Sequence, residues 1–377
     1  MKIPFNRPYM TGKELFYIAQ AHFGGHLSGD GSFTKYCHQW LEHQTGCLKA
    51  LLTHSCTGAL EMAALLLDLQ AGDEVIMPSY TFVSTANAFV LRGAVPVFVD
   101  VREDTLNIDE RLVEEAITPK TRAIVPVHYA GVACEMDTLF EIARRHDLAV
   151  VEDAAQGVMA TYKGRALGSL GHLGAYSFHE TKNVISGEGG ALLVNDPRYE
   201  DRAEIIREKG TDRSRFLRGE VDKYTWQHLG SSFLPSELTA AFLRAQLEEA
   251  DLLTERRLAV WDAYHVRLEP LEARGMLRRP VVPPECGHNA HMYYILLENA
   301  AIRYQTARRM REAGVHSISH YIPLHSSLAG HRYGRASGQL PITDAIAGRV
   351  LRLPMWIGLS ADEVDQVVEA LEQALRT

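Results

Sequence analysis

Val95-Pro96-Val97-Phe98-Val99-Asp100-Val101 is apolar almost throughout and lacks the in-and-out alternation of a half-exposed strand. A run that is apolar on both faces suits a strand buried between two layers of helices, hence a parallel sheet. Residues 123–127 (AIVPV) and 148–151 (LAVV) repeat the pattern, and Ile76 and Met77 close a similar run at Pro78. Helical sequence fills the gaps at residues 59–69, 82–92 (ended by Gly93), 112–117 and 138–146. This alternation predicts an α/β fold: a three-layer, doubly wound, mostly parallel sheet.

Beyond Glu237 the texture changes. Residues 238–268 read as one long helix closed near Pro270, and Pro280, Pro283 and Pro284 mark a connection. A strand (292–297), a helix (304–313, stopped by Gly314), a second strand (315–320) and a last helix follow. That last helix opens with Ser360 and Glu363 in a capping-box arrangement, with Val364, Val367, Val368, Leu371 and Leu375 along one face. The chain of 377 residues exceeds what one core usually serves, which predicts a large domain at 1–250 and a smaller α+β domain at 251–377.

With 46% hydrophobic and 23% charged residues, the composition is that of a soluble globular protein. Net charge is -8 and the basic residues form no stripe, which speaks against nucleic acid as a partner. No apolar run approaches the roughly 20 residues that cross a bilayer, and the N-terminus lacks a signal peptide's apolar core. Cys37, Cys47, Cys56, Cys134 and Cys286 include no CxxC pair, so they read as reduced thiols of a cytoplasmic protein.

Four segments carry chemistry. Thr53-His54-Ser55-Cys56-Thr57-Gly58 turns from a strand into a helix, and free N–H groups there make either an ordinary helix cap or an anion site. Asp153 and Gln156 lie in Glu152-Asp153-Ala154-Ala155-Gln156, at the end of a buried strand, where α/β sheets bind ligands. Phe82, in Pro78-Ser79-Tyr80-Thr81-Phe82, is a core residue or a flat face for an aromatic cofactor. Lys182 lies in Ser177-Phe178-His179-Glu180-Thr181-Lys182-Asn183, ahead of Gly187-Glu188-Gly189-Gly190. A lysine held in such a glycine-bordered site can lose its proton and form a Schiff base.

In this order and spacing the segments resemble fold-type I pyridoxal-5'-phosphate (PLP) enzymes, and among them the sugar-nucleotide aminotransferases. The resemblance spans essentially the whole chain. It implies that Lys182 holds the cofactor covalently, with pyridoxamine 5'-phosphate as the alternate form, and that Asp153 faces the pyridine nitrogen. Gln156 corresponds to the contact with the ring's phenolic oxygen, and Cys56, Thr57 and Ser177 to the phosphate seat. Phe82 corresponds to the stacking ring, and Asn183 follows the lysine in the cofactor segment. The family often supplies an Asn from the neighbouring subunit; here the segment reads Gly230-Ser231-Ser232, so Ser232 stands in for it. A homodimer with active sites between subunits is therefore implied. Dehydratase relatives replace the lysine by histidine, and Lys182 puts this chain with the aminotransferases.

The segments His128-Tyr129-Ala130-Gly131, Cys134-Glu135-Met136-Asp137, Glu208-Lys209-Gly210-Thr211 and Val221-Asp222-Lys223-Tyr224-Thr225-Trp226 are similar to enzymes that aminate C4 of TDP-4-oxo-6-deoxyglucose, with L-glutamate as donor. Lys223, Tyr224, Trp226, His320, Tyr321 and His325 are the residues expected at the sugar or nucleotide; each also has an ordinary packing or surface reading. His320 and His325 have no third ligand spaced with them, so no metal site is expected. A dinucleotide-dependent dehydrogenase would need a G-x-G-x-x-G turn after the first strand, and Ser55 to Leu60 does not supply it.

Overall fold

The structure, a computed structural model, describes residues 2–376. Its large sheet has eight strands in the order Lys49–Thr53, Gly190–Val194, Leu173–Ser177, Ala149–Asp153, Thr121–Ile124, Glu74–Pro78, Val95–Val99 and Arg335–Ala336. Only Gly190–Val194 runs against its neighbours; the other pairings are parallel. Alternate residues feed two separate cores. Ile76, Val97, Val99, Ile124 and Val150 face one helix layer, whereas Val75, Met77, Phe98, Ala123 and Val151 face the other. Both faces are covered, which is why these strands read as unbroken apolar runs.

A third core gathers Val260, Trp261, Tyr264, Ile295, Leu351, Leu353, Val367 and Leu371, and takes Ile3 from the N-terminal segment. Two segments cross between this core and the large sheet. Ile3 docks beside Val315, and Arg335–Ala336 crosses back to extend the large sheet beside Val95–Val99.

Two elements differ from the sequence expectation. The helix predicted over 238–268 is two helices, Glu237–Leu247 and Ala250–Ala273, broken at Glu249. Pro270 does not end the second; it lies in the last turn, where little helix remains to disrupt. Residues 315–320 form no continuous strand, because Val315 pairs with Ile3 and Ile318 with Arg352 in isolated bridges. The capping box forms as read: Ser360 N–H donates to Glu363 Oε2 (2.9 Å) and Glu363 N–H to Ser360 Oγ (3.2 Å). Among the described residues no helix is long and apolar enough to cross a membrane.

Candidate functional site

The C-terminal ends of the parallel strands open onto a cavity of about 680 Å³ that the small domain roofs. Lys182 reaches it from the loop joining Leu173–Ser177 to Gly190–Val194. That loop is laced shut by Phe178 N–H to Gly189 O (2.9 Å), Glu180 N–H to Gly187 O (2.8 Å) and Ser186 N–H to Phe178 O (2.7 Å). Gly187 has φ +81°, a conformation glycine adopts freely. Lys182 is half-buried, and desolvation pushes its pKa below the usual lysine range, although the Cys56 and Asp153 side chains pull the other way. A fraction of neutral amine is thereby favoured.

Asp153 ends the strand Ala149–Asp153, buried at 5% exposure. Thr85 Oγ1 donates to its Oδ2 (2.7 Å) and the Ala155 N–H to its Oδ1 (3.2 Å), which fix its orientation. Gln156 is held from both ends. Its Oε1 accepts the Ala130 N–H (2.7 Å), and its Nε2 donates to the Tyr321 hydroxyl (3.2 Å).

Cys56–Leu66 begins at the cavity wall, capped by Ser55 Oγ, which accepts from the Gly58 N–H (3.0 Å). The first N–H groups of a helix have no acceptor within it, and with Thr57, Ser84 and Ser177 on the same wall they make an anion seat. Thr57 Oγ1 donates to Ser84 Oγ (2.8 Å). Phe82, 56% exposed, caps the next helix, Val83–Val90, and lies on this wall with its ring centroid 6.4 Å from that of Tyr321.

Thus Lys182, Asp153, Gln156, Cys56, Thr57, Ser177, Phe82, His320 and Tyr321 share one cavity. His320 Nδ1 lies 3.0 Å from the Tyr129 hydroxyl, and burial holds its pKa down at about 2, so the ring is neutral. The other expected residues lie elsewhere. Asn183 is buried behind the lysine, donating to Asn289 O (2.7 Å) and facing His291 Nδ1 (2.9 Å), so it braces the loop. His325 is bound to Ser79 Oγ (2.7 Å) and Asp344 (3.3 Å), away from the cavity wall. Ser232, Lys223, Tyr224 and Trp226 are exposed on the chain's own surface, Trp226 at 77%.

Sequence reading missed the groups that hold this set in place. Thr81 and Thr85 are one helical turn apart and bond to each other (2.8 Å), a spacing visible in the sequence. Arg257, His291, Arg352 and Phe5 also reach the cavity, from elements whose approach only the small domain's docking decides.

The donor set fits PLP: an amine of lowered pKa, a fixed carboxylate, an amide that reaches across the site, and an anion seat at a helix N-terminus. Comparison with known proteins agrees. Residues 8–372 match the family model described as the DegT/DnrJ/EryC1/StrS aminotransferase family. The GDP-perosamine synthase of Caulobacter vibrioides is 32% identical over 99% of this chain and 98% of its own length. The erythromycin biosynthesis sensory transduction protein EryC1 of Saccharopolyspora erythraea is 36% identical over 83% of this chain and 82% of its own length. Among solved structures, DesV from S. venezuelae, in complex with a ketimine intermediate, superposes with a TM-score of 0.89 at 30% identity, covering 100% of this chain and 99% of that one. The aminotransferase TlmJ from Streptoalloteichus hindustanus gives 0.91 at 30% identity, covering 99% of both. The chain therefore belongs to the DegT/DnrJ/EryC1/StrS aminotransferase family and is a PLP-dependent sugar aminotransferase.

Proposed function

We propose that this enzyme transfers the amino group of L-glutamate to C4 of TDP-4-oxo-6-deoxy-D-glucose, giving 2-oxoglutarate and a TDP-4-amino-4,6-dideoxyhexose. The observation that supports transamination is that Lys182 and Asp153 line one cavity. The choice of sugar rests on the loops at His128 to Asp137, Glu208 to Thr211 and Val221 to Trp226, which are similar to enzymes acting on that ketone. One of the relatives is named a GDP-perosamine synthase, so the choice of nucleotide and sugar is what the experiment below must test.

PLP, when bound, supplies an aldehyde that takes up the amino group and a ring that accepts an electron pair from the adjoining carbon. Cys56, Thr57 and Ser177 would hold its phosphate, Asp153 its ring nitrogen and Gln156 its phenolic oxygen. The Lys182 amine, whose hold on its proton is loosened by desolvation, removes the proton from the donor's Cα and later delivers one to C4 of the sugar. The configuration of the product follows from which face of the sugar meets Lys182.

The active unit is a homodimer working in the cytoplasm. Phe82, Val83, Trp226 and Leu229 are exposed apolar side chains that a second copy would cover, and Ser232 is exposed for a neighbour's phosphate seat. The cysteines are unpaired, as in a reducing compartment.

The test is the absorbance of the PLP-loaded protein. Glutamate should convert the bound cofactor to its amine form, and TDP-4-oxo-6-deoxyglucose should restore the aldehyde form. Conversion without recovery would overturn the choice of sugar; no conversion would overturn the donor.

A further inference from the structure

Asn289-Ala290-His291 crosses between two loops of the cavity that are far apart in sequence. Asn289, 1% exposed, gives its Nδ2 hydrogens to two carbonyls that follow Asp153, Gln156 O (2.8 Å) and Val158 O (2.7 Å). It packs closely enough there to leave no room for a Cβ on Gly131. On the other side its own carbonyl accepts from Nδ2 of Asn183, the residue after Lys182 (2.7 Å). The Asn183 amide donates in that bond, so its Oδ1 is the acceptor facing His291 Nδ1 (2.9 Å), and Nδ1 carries the ring proton.

The crossing segment is held against a cost. Ala290 has φ +51°, in the left-handed region that residues other than glycine seldom enter. Its N–H donates to His288 Nδ1 (3.2 Å), and its carbonyl accepts from Arg257 Nε (3.0 Å). Arg257 also donates to His291 O (2.7 Å). At 5% exposure, and paired with no carboxylate among the described residues, this desolvated cation is committed to two backbone carbonyls.

We propose that Asn183 and His291 are positioning residues, which set the Lys182 amine against the loop of Asp153 and Gln156 through this buckle. The inference rests on the role proposed above for Lys182 and holds whichever donor and sugar the enzyme takes. A lysine's four-carbon stem is flexible, so the place of its amine depends on how firmly the backbone beneath it is held. A misplacement of about 1 Å can cost on the order of a hundredfold in rate. Gln156 is fixed separately by Ala130 and Tyr321, so loosening the Asn183–His291 contact frees the lysine side alone.

The experiment compares wild type with Asn183→Ala, His291→Leu, His291→Asn, the Asn183→Ala/His291→Leu double variant and a Lys182→Ala reference, each checked by its thermal melt. Fluorescence titration of the cofactor-free proteins measures affinity for PLP, whose aldehyde can bond to a lysine amine, and for pyridoxamine 5'-phosphate, whose amine cannot. Cofactor absorbance gives kcat and KM for the glutamate half-reaction. Asn183→Ala and His291→Leu should each weaken PLP by about tenfold and change pyridoxamine 5'-phosphate by less than about twofold. Each should also lower kcat by about tenfold or more at nearly constant KM. The double variant should lose little beyond the worse single variant, because both cut one contact. His291→Asn places an N–H where Nδ1 stood and should recover most of the loss. Equal weakening of both cofactor forms, additive losses, or His291→Asn as poor as His291→Leu overturn the proposal. So does a lowered melt with wild-type kcat and PLP affinity, which would make the contact structural only. A rise in KM without loss of kcat overturns it in favour of His291 touching substrate. If Asn183→Ala does not fold, the two His291 variants decide. Full PLP affinity in Lys182→Ala overturns the role of Lys182, and the buckle falls with it. A wild type that ignores glutamate overturns the proposed donor instead, and the two cofactor affinities then decide the buckle.

Discussion

Lys182 and Asp153 sit in different environments. The lysine is desolvated and the carboxylate is pinned by Thr85 and Ala155. Lys182→Ala should lower kcat by at least about three orders of magnitude, within the range for losing a proton-transferring group, while the thermal melt stays near that of wild type. Substantial residual transamination by that variant would contradict the assignment. Asp153→Asn keeps the shape but removes the charge that stabilises a protonated ring, and should cost roughly a hundredfold in kcat with little change in KM for the sugar. Steady-state kinetics decides this, and an unchanged kcat would count against the role. Both residues were legible in the sequence, because each sits at a strand end or in a glycine-bordered loop. Arg352 was not, since a single arginine in Val350-Leu351-Arg352-Leu353 carries no local mark of the cavity it faces.

At the scale of elements, the anion seat depends on how closely the strand Gly190–Val194 approaches the start of Cys56–Leu66. A Cβ on Gly190 would lie 2.4 Å from the Cys56 backbone nitrogen, and backbone on both sides leaves nothing flexible to yield. Gly190→Ala should therefore displace the helix N-terminus and weaken PLP by about tenfold or more, measured by cofactor titration followed through fluorescence. Full affinity in that variant would show that the seat lies elsewhere. The strands themselves were readable as apolar runs, and the last helix as a capped amphipathic one. The break at Glu249 and the fate of residues 315–320 were not, because pairing with Ile3 and Arg352 depends on segments far away in sequence.

Across the whole molecule several half-buried histidines are held toward the neutral form. His38 Nε2 accepts the Leu52 N–H (2.9 Å) and His172 Nδ1 the Val150 N–H (2.9 Å), and desolvation lowers the pKa of both, as it does for His291 and His320. Below the unfolded value of about 6.5 the unfolded chain takes up protons that the fold refuses, so stability falls as pH drops through that point. Tm should decrease by several degrees between about pH 7.5 and about pH 5.5, a window above that of the carboxylates held low, such as Glu14 and Asp104. A flat calorimetric profile there would contradict the neutral assignments. Across the molecule, the sequence alone determined the layered α/β sheet and the local segments that carry Lys182, Asp153 and the helix start at Cys56. Those features are written in local periodicity and in residues that lie close together along the chain. Only the tertiary structure decided which distant side chains complete the cavity. Phe5, Arg257, His291 and Arg352 reach the cavity because the C-terminal elements and the N-terminal segment pack over the sheet. That closure is a packing event between elements hundreds of residues apart, and no local pattern encodes it.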